Sequence, residues 1–286
     1  MRTVVALILA GVLGCVASTA RAVDLSETMV DLSEYNDFDK VAALAAQQDI
    51  ELLMLRATLG VGDDDRRFRE RVGRTLALGL KVGAYHALYP THAGDEQARY
   101  FVKQVAAACP KGAKILLAAD WETPTTPGGA PYPIADASTV TTFLAQVKAL
   151  TGKTPMVYTS PRIIAAKRAD IGADMAGADL WLSTTLTSVM RSRDCKKSPD
   201  VLETSYLCTN AVQGLIMPFQ EEYSPWRDWT FWQFSEGQWQ DEAAQRRYAV
   251  GGLPVDVSFF AGGRDAFHCY FDDHAWTCDP AVGAGL

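Results

Sequence analysis

The chain has 286 residues, of which 48% are hydrophobic and 21% are charged, and its formal net charge is −7. This is an ordinary globular composition, long enough for one large domain or two small ones. No Lys- and Arg-rich stretch is present, so the sequence predicts no nucleic-acid partner and no basic steering toward anionic polymers.

The first 22 residues have the pattern of an export signal. Arg2 supplies a positive start, residues 4–16 are almost wholly apolar, and residues 20–22 (Ala-Arg-Ala) fit a cleavage site between small residues. The apolar run is too short to span a bilayer, and no later segment is apolar enough to do so. We therefore expect a secreted or periplasmic protein without stable membrane insertion. The alternative is a lipoprotein anchored at Cys15.

Strand and helix patterns alternate through the first two-thirds of the mature chain. Helical faces such as Phe68, Val72 and Leu76 follow each of the first five strands. Residues 186–228 are polar and irregular, and no convincing helix separates the last strands. The predicted strands cover residues 28–33, 50–58, 81–88, 115–119, 154–160, 179–184, 229–235 and 255–261.

Eight strands, the first five followed by helices, predict an α/β fold. We expect a modified TIM-like (β/α) barrel, with about five βα units followed by three strands that have few helices. The sequence contains no internal repeat and no Gly/Ser- or Pro-rich linker. Residues 23–286 are therefore expected to form a single barrel domain, with a short C-terminal tail after Gly262.

Five cysteines lie outside the predicted signal, and export would permit disulfides between them. Cys195 with Cys208, and Cys269 with Cys278, would each close a short loop. Cys109 would be left over, buried near the end of a helix. No paired C-x-x-C spacing occurs, so zinc is not expected.

Two carboxylates end the most apolar strand, in the sequence Asp120-Trp121-Glu122. Residues i and i+2 of a strand point to the same side, roughly 6.6 Å apart. Asp120 and Glu122 would therefore project together at the carboxyl end of a buried strand, where α/β barrels place their active sites. Neighbouring carboxylates resist joint ionisation, which favours one of them as an acid at neutral pH. The alternative is a loop-edge pair that caps the next helix.

Other acids and aromatics occupy equivalent positions. Asp31 ends the first strand and Asp256 lies in the last, so closure of the barrel would bring them side by side. They could serve catalysis or form a structural pair at the barrel seam. Acids and aromatic rings around a pit suit a carbohydrate. The candidate substrate-binding residues are Tyr85, His86, Tyr158, Trp181 and Trp232. Tyr85 and Trp181 could equally belong to the barrel core, and His86 could be a hydrogen-bonded wall residue.

The chain resembles a known family, the glycoside hydrolase family 25 lysozymes, which are muramidases of the Chalaropsis type. The resemblance covers roughly residues 28–262 and rests on eight short segments in the right order. These are Val30–Ser33, Arg56–Thr58, Gly79–His86, Asp120–Glu122, Met156–Ser160, Leu180–Leu182, Trp232–Ser235 and Val255–Val257.

The resemblance implies cleavage of the β-1,4 bond between N-acetylmuramic acid and N-acetylglucosamine in peptidoglycan. The family's acid/base glutamate corresponds to Glu122 and its partner acid to Asp120. Its first-strand and last-strand acids correspond to Asp31 and Asp256. Asp120 could hold the substrate's 2-acetamido group for substrate-assisted hydrolysis, or Asp120 or Asp31 could steer a water molecule for inversion.

The expected partners are peptidoglycan glycan strands, the expected state is a monomer, and no cofactor or metal is required. Two alternatives differ from this reading. One is a hydrolase of another N-acetylhexosamine polymer such as chitin, and the other is a non-catalytic barrel that binds cell wall. Retention of all four acids argues against the second.

Overall fold

The computed structural model describes residues 28–45, 50–124, 133–185, 196–197, 206–207, 220–235 and 255–286. The predicted signal, with Cys15, and the predicted Cys195–Cys208 disulfide lie outside these residues. No helix of the described part is long and apolar enough to cross a membrane.

Eight strands close into a barrel, and the predicted modified TIM-like fold is confirmed. Around the barrel the order is β1–β2–β4–β5–β6–β7–β10–β11, and β11 returns to β1. The barrel strands are β1 (Thr28–Leu32), β2 (Ile50–Leu59), β4 (Lys81–Ala87), β5 (Lys114–Asp120), β6 (Met156–Thr159), β7 (Leu180–Ser183), β10 (Phe231–Ser235) and β11 (Asp256–Phe260). Shorter strands are β3 (Asp63–Asp64), which extends β2 as a hairpin, β8 (Lys196–Lys197), β9 (Tyr206–Leu207) and β12 (Trp276–Thr277).

One strand of the barrel runs against the others. The other seven barrel strands, from β1 round to β10, run parallel to one another, whereas β11 is antiparallel to both β10 and β1. The first residue of β11, Asp256, therefore lies at the same end of the barrel as the last residues of the parallel strands.

The barrel interior is a packed apolar column. Because side chains alternate along a strand, every second residue points inward. Gly83 leaves room for its neighbours, since a Cβ there would approach the Met54 sulfur to 2.5 Å. The buried inward residues of the column include Met29, Leu52, Met54, Leu116, Ala118, Met156, Trp181, Phe231 and Phe260.

Helices cover the outside of the parallel strands, and the larger core lies between the two layers. The described segment between β7 and β11 contains one short helix, which agrees with the predicted change of pattern. The helices are α1 (Phe38–Ala45), α2 (Phe68–Ala77), α3 (Gly94–Ala108), α4 (Ala137–Thr151), α5 (Pro161–Lys167), α6 (Ala173–Ala176), a 3-10 turn at Arg168–Asp170, and further helices at Gln220–Tyr223, Arg264–His274 and Pro280–Ala284.

The C-terminal segment closes the amino end of the barrel. Phe267 and Phe271, on the helix Arg264–His274, join the apolar column of the interior. Lys81, the first residue of β4, lies 5.3 Å from the Phe267 ring and 5.7 Å from the Phe271 ring. The tail therefore forms part of the core, because it covers the end of the column that would otherwise face solvent.

The next few residues seal the barrel wall. β6 is short and pairs only with the upper half of β5, from Ala118 to Asp120. β12 pairs antiparallel with the lower half of β5, at Ile115 and Lys114. It thereby supplies backbone partners to an edge that β6 leaves open.

The disulfide pairing differs from the prediction. Cys109 is bonded to Cys278, with the two Cα atoms 6.1 Å apart. Cys269 is also disulfide-bonded, so the predicted Cys269–Cys278 pair is wrong. The cause is β12: backbone hydrogen bonds from Gly112 to Cys278 and from Cys278 to Ala113 bring Cys278 to the end of α3, where Cys109 lies.

Candidate active site

The polar end of the interior coincides with the carboxyl ends of the parallel strands. Below this level the inward residues are mostly apolar, and at it they are polar or charged. Seven inward side chains come from seven different strands: Asp31, Arg56, Tyr85, Asp120, Tyr158, Ser183 and Gln233. Asp256 joins them because β11 is reversed.

Asp31 and Asp256 lie directly opposite each other in the β1–β11 register, as the sequence predicted. The side chain of Asp31 is buried and accepts a 2.9 Å hydrogen bond from the Gln233 amide. Burial raises the pKa of Asp31 well above its usual value, and the negative charge of Asp256 adds to the rise. The Gln233 hydrogen bond opposes this shift.

Asp120 and Glu122 differ sharply in environment. Asp120 is only 6% exposed, and its Oδ1 has no hydrogen-bond partner among the described residues. Glu122, two residues further along, is exposed to solvent. Between them Trp121 points outward and donates a 2.8 Å hydrogen bond to the Ala135 carbonyl, which fixes the orientation of this turn.

The electrostatics of Asp120 reflect that environment. Burial raises its pKa well above the usual value, and the charges of Glu122 and Asp31 raise it further. Arg56 partly opposes the rise. Ionisation of all these carboxyl groups at once would therefore carry a large electrostatic free-energy cost.

Arg56 is held at this end of the barrel by two acids. Its guanidinium lies 3.5 Å from Glu34 and 3.4 Å from Asp65. It also lies 5.3 Å from the centre of the exposed Tyr35 ring. These contacts fix a positive charge beside the acidic pit.

Tyr158 and Gln233 connect the opposite walls of the pit. The Tyr158 hydroxyl donates to the side-chain oxygen of Gln233, Oε1, at 2.8 Å and lies 3.2 Å from the Ser183 hydroxyl. Because the Gln233 oxygen accepts from Tyr158, its amide nitrogen is left to donate to Asp31. Sequence reasoning did not select Gln233, although a glutamine on the same face as Phe231 in an apolar strand was a usable signal.

Trp181 lies below the pit and contacts the rings of Tyr85 and Tyr158. Trp181 is 2% exposed, and its indole N–H donates to the Ser258 hydroxyl at 3.0 Å. The Tyr85 and Tyr158 rings stand edge-on to it, with centroids at 6.4 Å and 4.5 Å. Trp181 thus belongs to the barrel core, one of the two roles open to it, whereas the half-buried Tyr85 and Tyr158 face the pit.

His86 does not face the pit, so its prediction as a substrate-binding residue is wrong. It follows Tyr85 and therefore points outward, where it is fully buried against Phe143 of α4 at a ring distance of 5.0 Å. Burial lowers its pKa to about 4, so the ring is neutral at neutral pH.

A hydrogen-bond network fixes the tautomer of His86. The Gln97 amide nitrogen donates to the Tyr89 and His92 carbonyls, which leaves the Gln97 oxygen to accept from His86 Nε2 at 3.1 Å. Nδ1 then accepts from the Thr58 hydroxyl at 2.7 Å. His86 is therefore a structural residue of the helix–barrel interface.

Trp232 also points away from the pit, and its prediction as a substrate-binding residue is wrong. It is 2% exposed, and its indole N–H donates to the Thr184 carbonyl at 2.7 Å. Its ring packs against Trp229 and Phe259 in the outer core. The alternation along β10 turns Phe231 and Gln233 inward and Trp232 outward.

A pocket of about 480 Å³ opens beside the acids, and Glu122 is one of its lining residues. This volume is within the usual range of small-molecule sites. The pocket lies across the ends of β5, β6 and β7, with Thr123, Ser160 and Ser183 on its walls. In the described part of the chain, no group of His, Cys, Asp or Glu side chains is arranged to hold a metal ion.

A barrel with carboxyl groups clustered at the carboxyl ends of its strands is typical of an α/β-barrel enzyme, and paired carboxyl groups of unequal burial are what glycoside hydrolysis uses. The family model described as "Glycosyl hydrolases family 25" matches residues 30–196. The match covers more than half of the chain, and the chain belongs to this family.

Solved structures share the fold at low sequence identity. The muramidase from Acremonium alcalophilum is 20% identical, with 91% of this chain and 99% of that chain covered and a TM-score of 0.56. A family 25 glycosyl hydrolase from Bacillus anthracis is 19% identical, with 88% and 97% covered and a TM-score of 0.58. The bacterial lysozyme from Streptomyces coelicolor is 20% identical, with 87% and 98% covered and a TM-score of 0.57. None of the curated proteins matches this chain.

Proposed function

We propose that this protein is a peptidoglycan hydrolase that cleaves the β-1,4 bond between N-acetylmuramic acid and N-acetylglucosamine. The observation that carries the proposal is the pairing of an exposed Glu122 with a buried Asp120 at the carboxyl end of β5. Membership of the family and the fold shared with a muramidase and a lysozyme support the same substrate.

Glu122 is the general acid and then the general base. It borders the open pocket, so a glycosidic oxygen can reach its carboxyl group. It protonates the leaving oxygen, and the resulting carboxylate activates the water that completes hydrolysis.

Asp120 orients the 2-acetamido group of the substrate. Its buried Oδ1 has no partner among the described residues, and a buried acceptor without a donor is costly. The N–H of the acetamido group supplies that donor. The hydrogen bond holds the group in place, so that the acetamido carbonyl oxygen can attack the anomeric carbon. This argument favours substrate-assisted hydrolysis over water attack with inversion.

Asp31 and Asp256 form the opposite wall of the sugar site, and Gln233 holds Asp31 in position at 2.9 Å. Tyr85 and Tyr158 present half-buried rings to the same pit, where they can contact sugar C–H faces. Together these residues give the glycan an acidic wall and an aromatic wall.

Digestion of purified peptidoglycan tests the proposal. Mass analysis of the new reducing ends should find N-acetylmuramic acid. Glucosamine ends would identify a glucosaminidase instead. Release of products from chitin but not from peptidoglycan would support the chitin alternative, and wall binding without any product would support a non-catalytic barrel.

Export from the cytoplasm is part of the same proposal. A disulfide between Cys109 and Cys278 and a further one at Cys269 suit an oxidising compartment, where the glycan substrate also lies. We expect residues 23–286 to act as a single-domain monomer in the periplasm or outside the cell. N-terminal sequencing of exported protein should find a start near Val23, whereas a lipidated start at Cys15 would indicate an anchored lipoprotein.

A further inference from the structure

The pocket beside Glu122 is rich in hydroxyl groups. Five of the residues that line it carry a hydroxyl group: Thr123, Ser160, Ser183, Thr184 and Thr185. Each hydroxyl can both donate and accept a hydrogen bond, which suits amide and hydroxyl groups of a ligand better than an apolar one. The acidic pit lies at one side of this pocket, with Glu122 common to both.

Arg162 gives this pocket a positive charge. Among the described residues that line it, Arg162 is the one cation and Glu122 the one anion. An Arg162 N–H group donates a 3.2 Å hydrogen bond to the Thr123 hydroxyl, which ties the guanidinium to the segment that carries Glu122. Within the described part of the chain this is the only hydrogen bond of the Arg162 side chain, so its other N–H donors have no partner among these residues and can meet a ligand.

We propose that Arg162 and the hydroxyl-lined pocket bind the carboxylate that the 3-O-lactyl substituent brings to the substrate. This inference rests on the proposed function, because it concerns the sugar whose bond Glu122 cleaves. Arg162 is a specificity-determining residue in this assignment, since it recognises the substituent and not the reacting atoms.

The chemistry of the substituent matches the pocket. Muramic acid differs from glucosamine by a lactyl ether at O3, which ends in a carboxylate or in a peptide with its own carboxylates. A guanidinium forms paired, charge-assisted hydrogen bonds with a carboxylate. Chitin has no such group, so the pocket provides a physical basis for preferring muramic acid polymers to chitin.

The test compares Arg162→Gln with wild type on three soluble ligands. The first is glycan strands with stem peptides, the second is strands stripped of peptide so that the lactyl carboxylate is free, and the third is chitin oligosaccharides. Affinity is measured in the Glu122→Gln background to prevent turnover, and kcat/KM is measured with Glu122 intact. Lys167→Gln is the matched control, because Lys167 lies on the same helix but pairs with Asp136 at 3.1 Å, outside the pocket lining.

Arg162→Gln should weaken binding of a carboxylate-bearing ligand by about tenfold, with no change for chitin oligosaccharides. Arg162→Lys should recover part of the loss, because it restores charge without the forked geometry. A loss confined to peptide-bearing strands assigns the contact to a peptide carboxylate, and a loss on stripped strands assigns it to the lactyl carboxylate.

The assignment would be overturned if Arg162→Gln and the protein with Arg162 intact bound both kinds of strand with equal affinity. Undetectable binding by both proteins would overturn it too. An equal loss on chitin oligosaccharides, or the same loss with Lys167→Gln, would overturn it as well. If wild type hydrolyses none of the ligands, the proposed function fails, while the ratio of strand affinities still decides the role of Arg162.

Discussion

Asp120 combines two features that a stable protein usually avoids, burial and a carboxylate oxygen that has no hydrogen-bond partner among the described residues. The pKa of Asp120 is raised chiefly by burial and further by Glu122 and Asp31. A carboxyl group whose pKa is higher in the folded than in the unfolded state costs stability once it ionises. This cost in stability begins as the pH rises above the pKa of the group in the unfolded state, and it is complete above the pKa of the group in the folded state.

Asp120→Asn should therefore stabilise the fold at neutral pH while abolishing turnover. Because the pKa of Asp120 is raised well above its usual value in the folded state, we expect a measurable gain in the free energy of unfolding at pH 7. The gain should disappear below about pH 4, where the wild-type carboxyl is protonated in both states. Denaturant unfolding at the two pH values measures it, and a variant less stable than wild type at pH 7 would refute this account.

Glu122→Gln should remove hydrolysis and leave the fold unchanged. The amide is nearly isosteric, the side chain is exposed, and the variant has no acidic proton to transfer. General acid–base catalysis contributes roughly 10²–10⁴-fold, so release of reducing ends should fall by at least that lower factor. Retention of more than about half of the wild-type rate would exclude Glu122 from this role.

The spacing of residues in the strands explains which side-chain positions could be predicted from the sequence and which could not. Asp120, Asp31 and Asp256 could be placed from sequence because strand ends and barrel closure determine their position. His86 and Trp232 directly follow the inward-facing Tyr85 and Phe231, so the alternation of side chains turns both of them outward. His86 points into the helix layer against Phe143, and Trp232 points into the outer core against Trp229.

At the scale of elements, all eight barrel strands were predictable because each is a short apolar run bounded by polar residues. The direction of β11 was not, since alternation along a strand is the same in either direction. β12 was missed because its two residues, Trp276 and Thr277, gain their strand character only by pairing with β5. The pairing of Cys109 with Cys278 depends on that same contact across the fold.

Phe267→Ala should destabilise the protein by about 3–5 kcal/mol, the usual cost of removing a buried phenylalanine ring. The ring closes the amino end of the barrel and lies 5.4 Å from the Phe260 ring and 6.3 Å from the Phe231 ring. Denaturant unfolding should show the loss, and activity well below the melting temperature should persist. Asp265→Asn, at an exposed position of the same helix, should change stability little. Similar losses for both variants would contradict the role of the ring.

The double variant Cys109→Ala, Cys278→Ala should lose about 2–5 kcal/mol of unfolding free energy. The bond joins residues 169 apart in sequence and so restricts much of the unfolded chain. Unfolding curves of the oxidised wild type and the variant provide the comparison. Coincident curves would mean that the contacts of β12 and the C-terminal helices hold the tail by themselves.

At the scale of the whole molecule, the net charge of −7 predicts that wall hydrolysis depends little on ionic strength. An acidic protein gains no long-range attraction to an anionic wall, and one arginine–carboxylate contact acts only at short range. Initial rates on peptidoglycan should therefore change by less than about threefold between low and physiological salt. A steep fall in rate would reveal a basic contact surface outside the described residues.

The helix Arg264–His274 closes the end of the barrel that lies opposite the acidic site. Its Phe267 and Phe271 meet the lower end of the apolar column, whereas Asp31 and Asp120 stand at the upper end. Substitutions that improve the packing of this helix could therefore raise the melting temperature without altering the groups that bind and cleave the glycan. Enzymes whose stabilising contacts run through the catalytic loops offer no such freedom, because each gain in rigidity there restricts turnover.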